Sequence, residues 1–250
     1  MRGGARAGAA DPAAGAWLAT PPGGGVLTAQ VAVLTASYGL APLAAWLLLR
    51  LCARVEGVSW RSYLGPASGR RAVAVLITTA LPVAAVTAAA SWGAWWSGLD
   101  AGRPVLGGAG GLPLLLVLFY GLARAFVLQG IQEEWWFRGF AFVDVRRHPW
   151  FTLAATTVAF TVLHLTSSGG QQSGAERVLY LALPLGMGLW AGVERWCSGT
   201  VWAAVGVHGG IHTGLLVPAL LGWPQGPASW VVLGVTLTVA AALRLALARP

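Results

Sequence analysis

The chain has 250 residues, 56% of them hydrophobic and only 10% charged, with a mean hydropathy of +0.68. Soluble domains carry about 25% charged residues, so this composition excludes an ordinary soluble enzyme and places the chain in a bilayer. The net charge of +8 does not imply a nucleic-acid partner, because the basic residues cluster in loops between apolar runs, as the positive-inside rule describes.

Residues 1–25 are rich in Gly, Ala and Pro with little periodicity and read as a disordered tail. Trp17-Leu18 is too short an apolar stretch for a signal-peptide core. Residues 26–250 read as a single transmembrane domain. A helix needs about 20 residues to cross ~30 Å of hydrocarbon, and apolar runs of this kind lie at about 27–50, 72–96, 113–145, 151–167, 178–196, 200–221 and 228–248. They predict an all-α, polytopic helical bundle of about seven transmembrane helices, the first serving as an uncleaved signal anchor. Turn residues separate them, including Gly65-Pro66, the run Gly107 to Gly111, and Gly169-Gly170. Loop charges alternate. Arg50, Arg54, Arg61, Arg70 and Arg71 fill the first loop and Arg146-Arg147-His148 the third, whereas the second holds only Asp100 and Arg103. This predicts an N-terminus outside and a C-terminus in the cytoplasm. All sixteen basic residues are Arg, and the chain has no Lys and no Asn, which fits the codon bias of a GC-rich bacterial genome. Cys52 and Cys197 match no metal or disulfide spacing and read as small apolar fillers.

The third run contains an energetic anomaly. Glu133 and Glu134, two of only eight acidic residues, stand side by side among Phe, Trp, Val and Leu. A carboxylate at membrane depth costs at least ~2.5–3.5 kcal/mol and usually marks function. Glu134 and Arg138 are four apart, so they share a helix face and predict an ion pair. Glu133 is rotated by about 100° and faces elsewhere, which suits a general base for water. The competing reading makes both glutamates a structural charge cluster. Helical rise puts Glu133 and His164 at similar depth, roughly 20 Å from the turn at 146–150, only if the helix runs past Arg138 to about Val145. So long a helix predicts strong tilt or a break near Gly121 or Gly130.

Three of the four histidines, His164, His208 and His212, fall within predicted spans, while His148 sits in a basic turn. His208 and His212 are four apart and stack on one face, flanked by Gly206, Gly209, Gly210 and Gly214. Their spacing matches half a zinc site, but the Glu of a His-Glu-x-x-His motif is absent, and two histidines on one face cannot clamp a haem from opposite sides.

Together these residues resemble a known family. Glu133-Glu134-Trp-Trp-Phe-Arg138 matches Glu-Glu-x-x-x-Arg, Phe160-Thr-Val-Leu-His164 matches Phe-x-x-x-His, and His208-Gly-Gly-Ile-His212 occupies His-x-x-x-Asn with His in place of Asn. The sequence resembles the CPBP intramembrane proteases, which include the type II CAAX prenyl endopeptidases and the bacteriocin-immunity or abortive-infection proteins, over a core at about 113–221. The resemblance implies a glutamate-dependent endopeptidase acting on a membrane-associated protein or peptide. Glu133 and His164 would activate water, His208 and His212 would stabilise the oxyanion, and Glu134 and Arg138 would support the site. No cofactor is expected. A zinc-dependent version would draw on Glu133, His164, His208 and His212, one ligand more than a catalytic zinc takes from protein. The remaining rivals are a non-catalytic immunity or partner-binding membrane protein and a proton-coupled transporter. Against transport, the polar residues sit on three neighbouring spans and no inverted repeat is visible. The expected location is a bacterial plasma membrane.

Overall fold

The computed structural model describes residues 24–103, 114–143, 147–167 and 169–248. The tail expected at 1–25 lies outside the described residues through residue 23, as do Val145 and the glycine run at 107–111; Gly24 and Gly25 already belong to helix. The chain divides into a unit through Ala36 and a compact unit from Ser37 onward. Residues 24–36 of the first are helical, and the second holds the remaining helices and every polar residue singled out above.

The helices are α1 (Gly24–Glu56), α2 (Trp60–Leu64), α3 (Gly69–Trp96), α4 (Leu114–Phe142), α5 (Pro149–Leu163), α6 (Gly174–Tyr180), α7 (Ala182–Ser198), α8 (Val201–Leu221) and α9 (Pro227–Ala248). No strand occurs among the described residues. Hydrocarbon offers no partners to backbone N–H and C=O groups, so an apolar chain there satisfies them within helices. The Thr and Ser side chains follow the same rule, with Thr87, Thr156 and Thr161 donating to the carbonyls four residues before them at 2.8–2.9 Å.

Among the described residues, six helices are long and apolar enough to cross a membrane. The fifth expected run, 178–196, is not one of them. It breaks at Leu181 into α6 and α7, and α7 has 17 residues, ten of them buried. Its ends nevertheless join opposite ends of the bundle. At one, Arg177 just before α7 donates to the Leu165 carbonyl; at the other, Arg195 donates to the Tyr63 carbonyl. Two further departures concern helix ends. The loop expected at 50–71 contains the short α2, whose N-cap Ser59 accepts from the Arg61 N–H. α5 stops at Leu163, so His164 opens a 3-10 turn through Thr166.

Glycines bring α3 and α8 together. A Cβ on Gly206, Gly210 or Gly214 would stand 2.8, 2.6 or 2.7 Å from the carbonyl oxygens of Leu76, Ala80 or Ala84. The four-residue spacing keeps all three on one face, the pattern by which small residues let membrane helices approach. Aromatic side chains mark both ends. Trp95 stacks on Trp223 at 5.0 Å, and Trp150 meets Trp196 edge-on at 5.1 Å, consistent with interfacial belts. Asp100 closes the first of these ends by accepting from the N–H of Ser229 at 2.8 Å and its hydroxyl at 2.6 Å, which caps the start of α9.

Candidate active site

α4 carries the glutamates, and it neither breaks at Gly121 nor at Gly130. It instead winds into a wide π-helical stretch over Ala123–Ile131, returns to α for Gln132–Glu134, and widens again over Trp135–Gly139 before a final 3-10 turn, Phe140–Phe142. It runs past Arg138 to Phe142, and the expected continuation to Val145 lies outside the described residues. Wide turns within membrane helices recur at functional sites, and here they govern where the polar side chains point.

Glu134 and Arg138 are both fully buried and pair at 3.2 Å. Arg138 Nη2 also donates to the Gly188 carbonyl at 2.6 Å. Gly188 has to be small, because a Cβ there would lie 3.0 Å from Arg138 Nη2 and 3.1 Å from Phe160 Cδ1. The Phe160 ring covers the guanidinium at 4.7 Å. Arg195, itself buried, donates to the Arg138 carbonyl at 2.8 Å and fixes the backbone of this turn. His208 completes the cluster: its Nδ1–H donates to Glu134 Oε1 at 2.9 Å. Its Nε2 is buried and has no hydrogen-bond partner among the described residues.

Glu133 turns the other way. It makes no hydrogen bond or ion pair among the described residues and lines two cavities. The first is an apolar groove of about 480 Å³ between α4 and α5, walled by Trp136, Phe137, Phe140 and Phe160, with the exposed Leu163 at its lip. The second is a more polar chamber of about 370 Å³, lined among others by Arg124, Gln129, Tyr180 and His212. Glu133, His164 and Ser167 belong to both. His164 Nδ1 lies 2.8 Å from the Phe160 carbonyl. A carbonyl only accepts, so Nδ1 carries the hydrogen, and Nε2 is the nitrogen that can accept a proton whenever the ring is neutral. The chamber in turn shares Arg124, Tyr180, Leu183, His212 and Leu215 with a third cavity, a vestibule of about 620 Å³ that reaches Gly169, Gly170 and Gln225.

Of the residues singled out by sequence, Glu133, His164 and His212 therefore meet around one chamber. His208 lies behind it, its ring 5.0 Å from that of His212 and 6.1 Å from that of Phe160, and does not line the chamber wall. Among the described residues no three His, Cys, Asp or Glu side chains converge on a point where one metal ion would sit. Glu134 engages only Nδ1 of His208, so the ring nitrogen left to meet any ligand is Nε2.

Arg124, Gln129, Ser167 and Tyr180 join the site without having stood out in the sequence. For Arg124 the signal was present, because an arginine well inside the predicted span at 113–145 is the same anomaly as the glutamates. Gln129, Ser167 and Tyr180 carry no signal of their own. The loop that bears Gly169 and Gly170 is clasped outside the spans. Arg103 grips Glu176 through both nitrogens at 3.0 and 2.9 Å and reaches the Gly170 carbonyl at 3.4 Å. The Arg103 guanidinium, helped by the Gln172 N–H, holds the Glu176 carboxyl below its ordinary pKa.

Comparison with known proteins gives a match to a family model. Residues 112–214 fit the family model described as type II CAAX prenyl endopeptidase Rce1-like, a span that contains all three motifs. No curated protein and no solved structure matches the chain.

Proposed function

With a CPBP-family, CAAX-endopeptidase-like core in this integral membrane protein, we propose that it hydrolyses a peptide bond of a membrane-associated protein or peptide, with Glu133 as general base. The observation that carries this reading is the shared position of Glu133 and His164. They stand where an apolar groove, suited to a lipid-facing segment, meets a polar chamber that can hold water and a reacting carbonyl. Glu133 takes a proton from the attacking water while His164 Nε2 orients that water, and the protonated Glu133 then gives the proton to the leaving nitrogen as the C–N bond breaks. Attack makes the carbonyl oxygen an oxyanion. His212, on the chamber wall, donates to it; His208, held through Nδ1–H by Glu134, joins it only as the imidazolium, when Nε2 also carries a hydrogen. Glu134 and Arg138 position His208 without touching the reacting atoms.

No step is routed through a metal, because the donor set does not converge. His212 stands where the family motif has Asn; a neutral imidazole supplies one N–H, as an amide does. The arginines of the first and third loops support a cytoplasmic side at the end of the bundle bearing Tyr63 and Arg195, and hence an outside N-terminus.

The test is cleavage of a diverse peptide pool by purified protein, followed by mass spectrometry, for the parent and for Glu133→Gln, His164→Ala and His208→Ala. Cleavage by the parent and its loss in Glu133→Gln are expected. Undiminished cleavage by Glu133→Gln would sink the assignment. A non-catalytic, partner-binding role instead predicts no cleavage by any form, with loss of folding across the cluster variants.

A further inference from the structure

Four of the arginines in the helical core and at its ends are engaged. Arg138 pairs with Glu134, Arg103 with Glu176, Arg244 with Glu194 at 2.8 Å, and Arg195 donates to two carbonyls. Arg124 differs. It makes no hydrogen bond and no ion pair among the described residues, and it lines both the chamber of Glu133 and the vestibule beyond it. Its place follows from the π-helical stretch of α4, which it enters as the second residue. Of the chamber's lining residues, Glu133 is the one carboxylate and Arg124 the one guanidinium. Tyr180 and His212 accompany Arg124 in both cavities and can add hydrogen bonds.

We propose that Arg124 binds a carboxylate of the substrate, carried on the part of the peptide that passes Glu133 and His164 and enters the chamber. This rests on the proteolytic reading and adds a selectivity to it. The apolar groove takes the membrane-embedded part of the substrate, the reacting bond lies at Glu133 and His164, and an anionic group beyond it docks on Arg124. The planar, fork-shaped guanidinium suits a carboxylate, which it grips through two parallel N–H bonds. The carboxylate is either the C-terminus of the peptide or an acidic side chain near it.

The experiment uses full-length protein in phosphatidylcholine vesicles and three peptide pools that differ in one respect: a C-terminal acid, a C-terminal amide, and an amide with Asp scanned through the last positions. The parent protein is expected to prefer the acid or the Asp-bearing pool, and which of the two it prefers identifies the source of the carboxylate. Arg124→Gln should lose about 10- to 100-fold in kcat/KM on the preferred pool, mainly through KM, with the plain amide pool unaffected. Arg124→Lys should recover part of the loss by restoring the charge without the fork. Equal losses on all pools, no loss on any, or an effect that depends on phosphatidylglycerol in the vesicles rather than on the peptide would overturn the assignment. Binding of fluorescently labelled acid and amide pools is read in parallel on Glu133→Gln protein, with and without Arg124→Gln. If the parent cleaves nothing, the proteolytic reading fails on its own. The carboxylate site then stands if Arg124→Gln abolishes acid-selective binding, and falls if it does not.

Discussion

Glu133 and Glu134 are neighbours on one helix and live in opposite environments. Glu134 is sealed from solvent and has two partners, Arg138 at 3.2 Å and His208 at 2.9 Å. Glu133 has none among the described residues and borders two cavities. The turn of about 100° between successive helical residues is enough to bury one carboxylate among partners and turn the other to the cavities. A buried charge persists when it is paired and hydrogen-bonded; a general base needs access to water and a proton to take. One side chain cannot meet both demands, and in the function proposed above the adjacent pair divides them.

Substitutions can break this division. Glu133→Gln should lower kcat by about 10²–10⁴-fold, the usual worth of a positioned base, while leaving the thermal midpoint of the detergent-solubilised protein, followed by Trp fluorescence, unchanged. A large drop in that midpoint would show that Glu133 is structural too. Arg138→Ala leaves Glu134 buried with one partner gone and should destabilise the fold by about 3–5 kcal/mol, seen as a lowered midpoint even without substrate. Gly188→Ala pushes on the same guanidinium and on Phe160, and should cost about 1–3 kcal/mol by overpacking, with activity falling only as far as folded protein is lost. The smallest effect belongs to the clasp outside the spans. Because Arg103 lowers the folded-state pKa of Glu176, the clasp stabilises fully above the ordinary carboxylate pKa and is lost as pH falls through the lowered folded value. Glu176→Gln should therefore shift the midpoint slightly at neutral pH, as partly exposed pairs do, and not at all in strong acid. A shift that grows on acidification would contradict that sign.

Much of the fold was legible because a bilayer imposes one rule on every residue within it. Apolar runs of sufficient length located the six helices that, among the described residues, are long and apolar enough to span, and they failed at 178–196, where α7 is shorter and largely buried against protein. Burial inside a bundle and exposure to lipid select the same apolar residues, so hydropathy alone cannot separate them. The wide turns of α4 were also hidden. Gly121 and Gly130 suggested a break, whereas the packing of Leu216 and Val205 around these glycines accompanies a continuous helix with π-helical winding. His164 lies within its span, as expected, and begins the 3-10 turn that ends it, which brings it to the junction of groove and chamber.

The sequence by itself determined that this is an integral membrane bundle, that Glu133, Glu134, Arg138, His164, His208 and His212 are its anomalous residues, and that Glu134 and Arg138 share a face. All of this follows from transfer cost and from helical period, which are local properties. Only the tertiary structure decided that His208 turns its Nδ1–H to Glu134 while His212 borders the chamber, although both lie on one face of α8. It alone brought Arg124 into the company of Glu133 and joined an apolar groove to a polar cavity at His164. Side chains that meet across helices are chosen by packing, and packing depends on residues far apart in the chain.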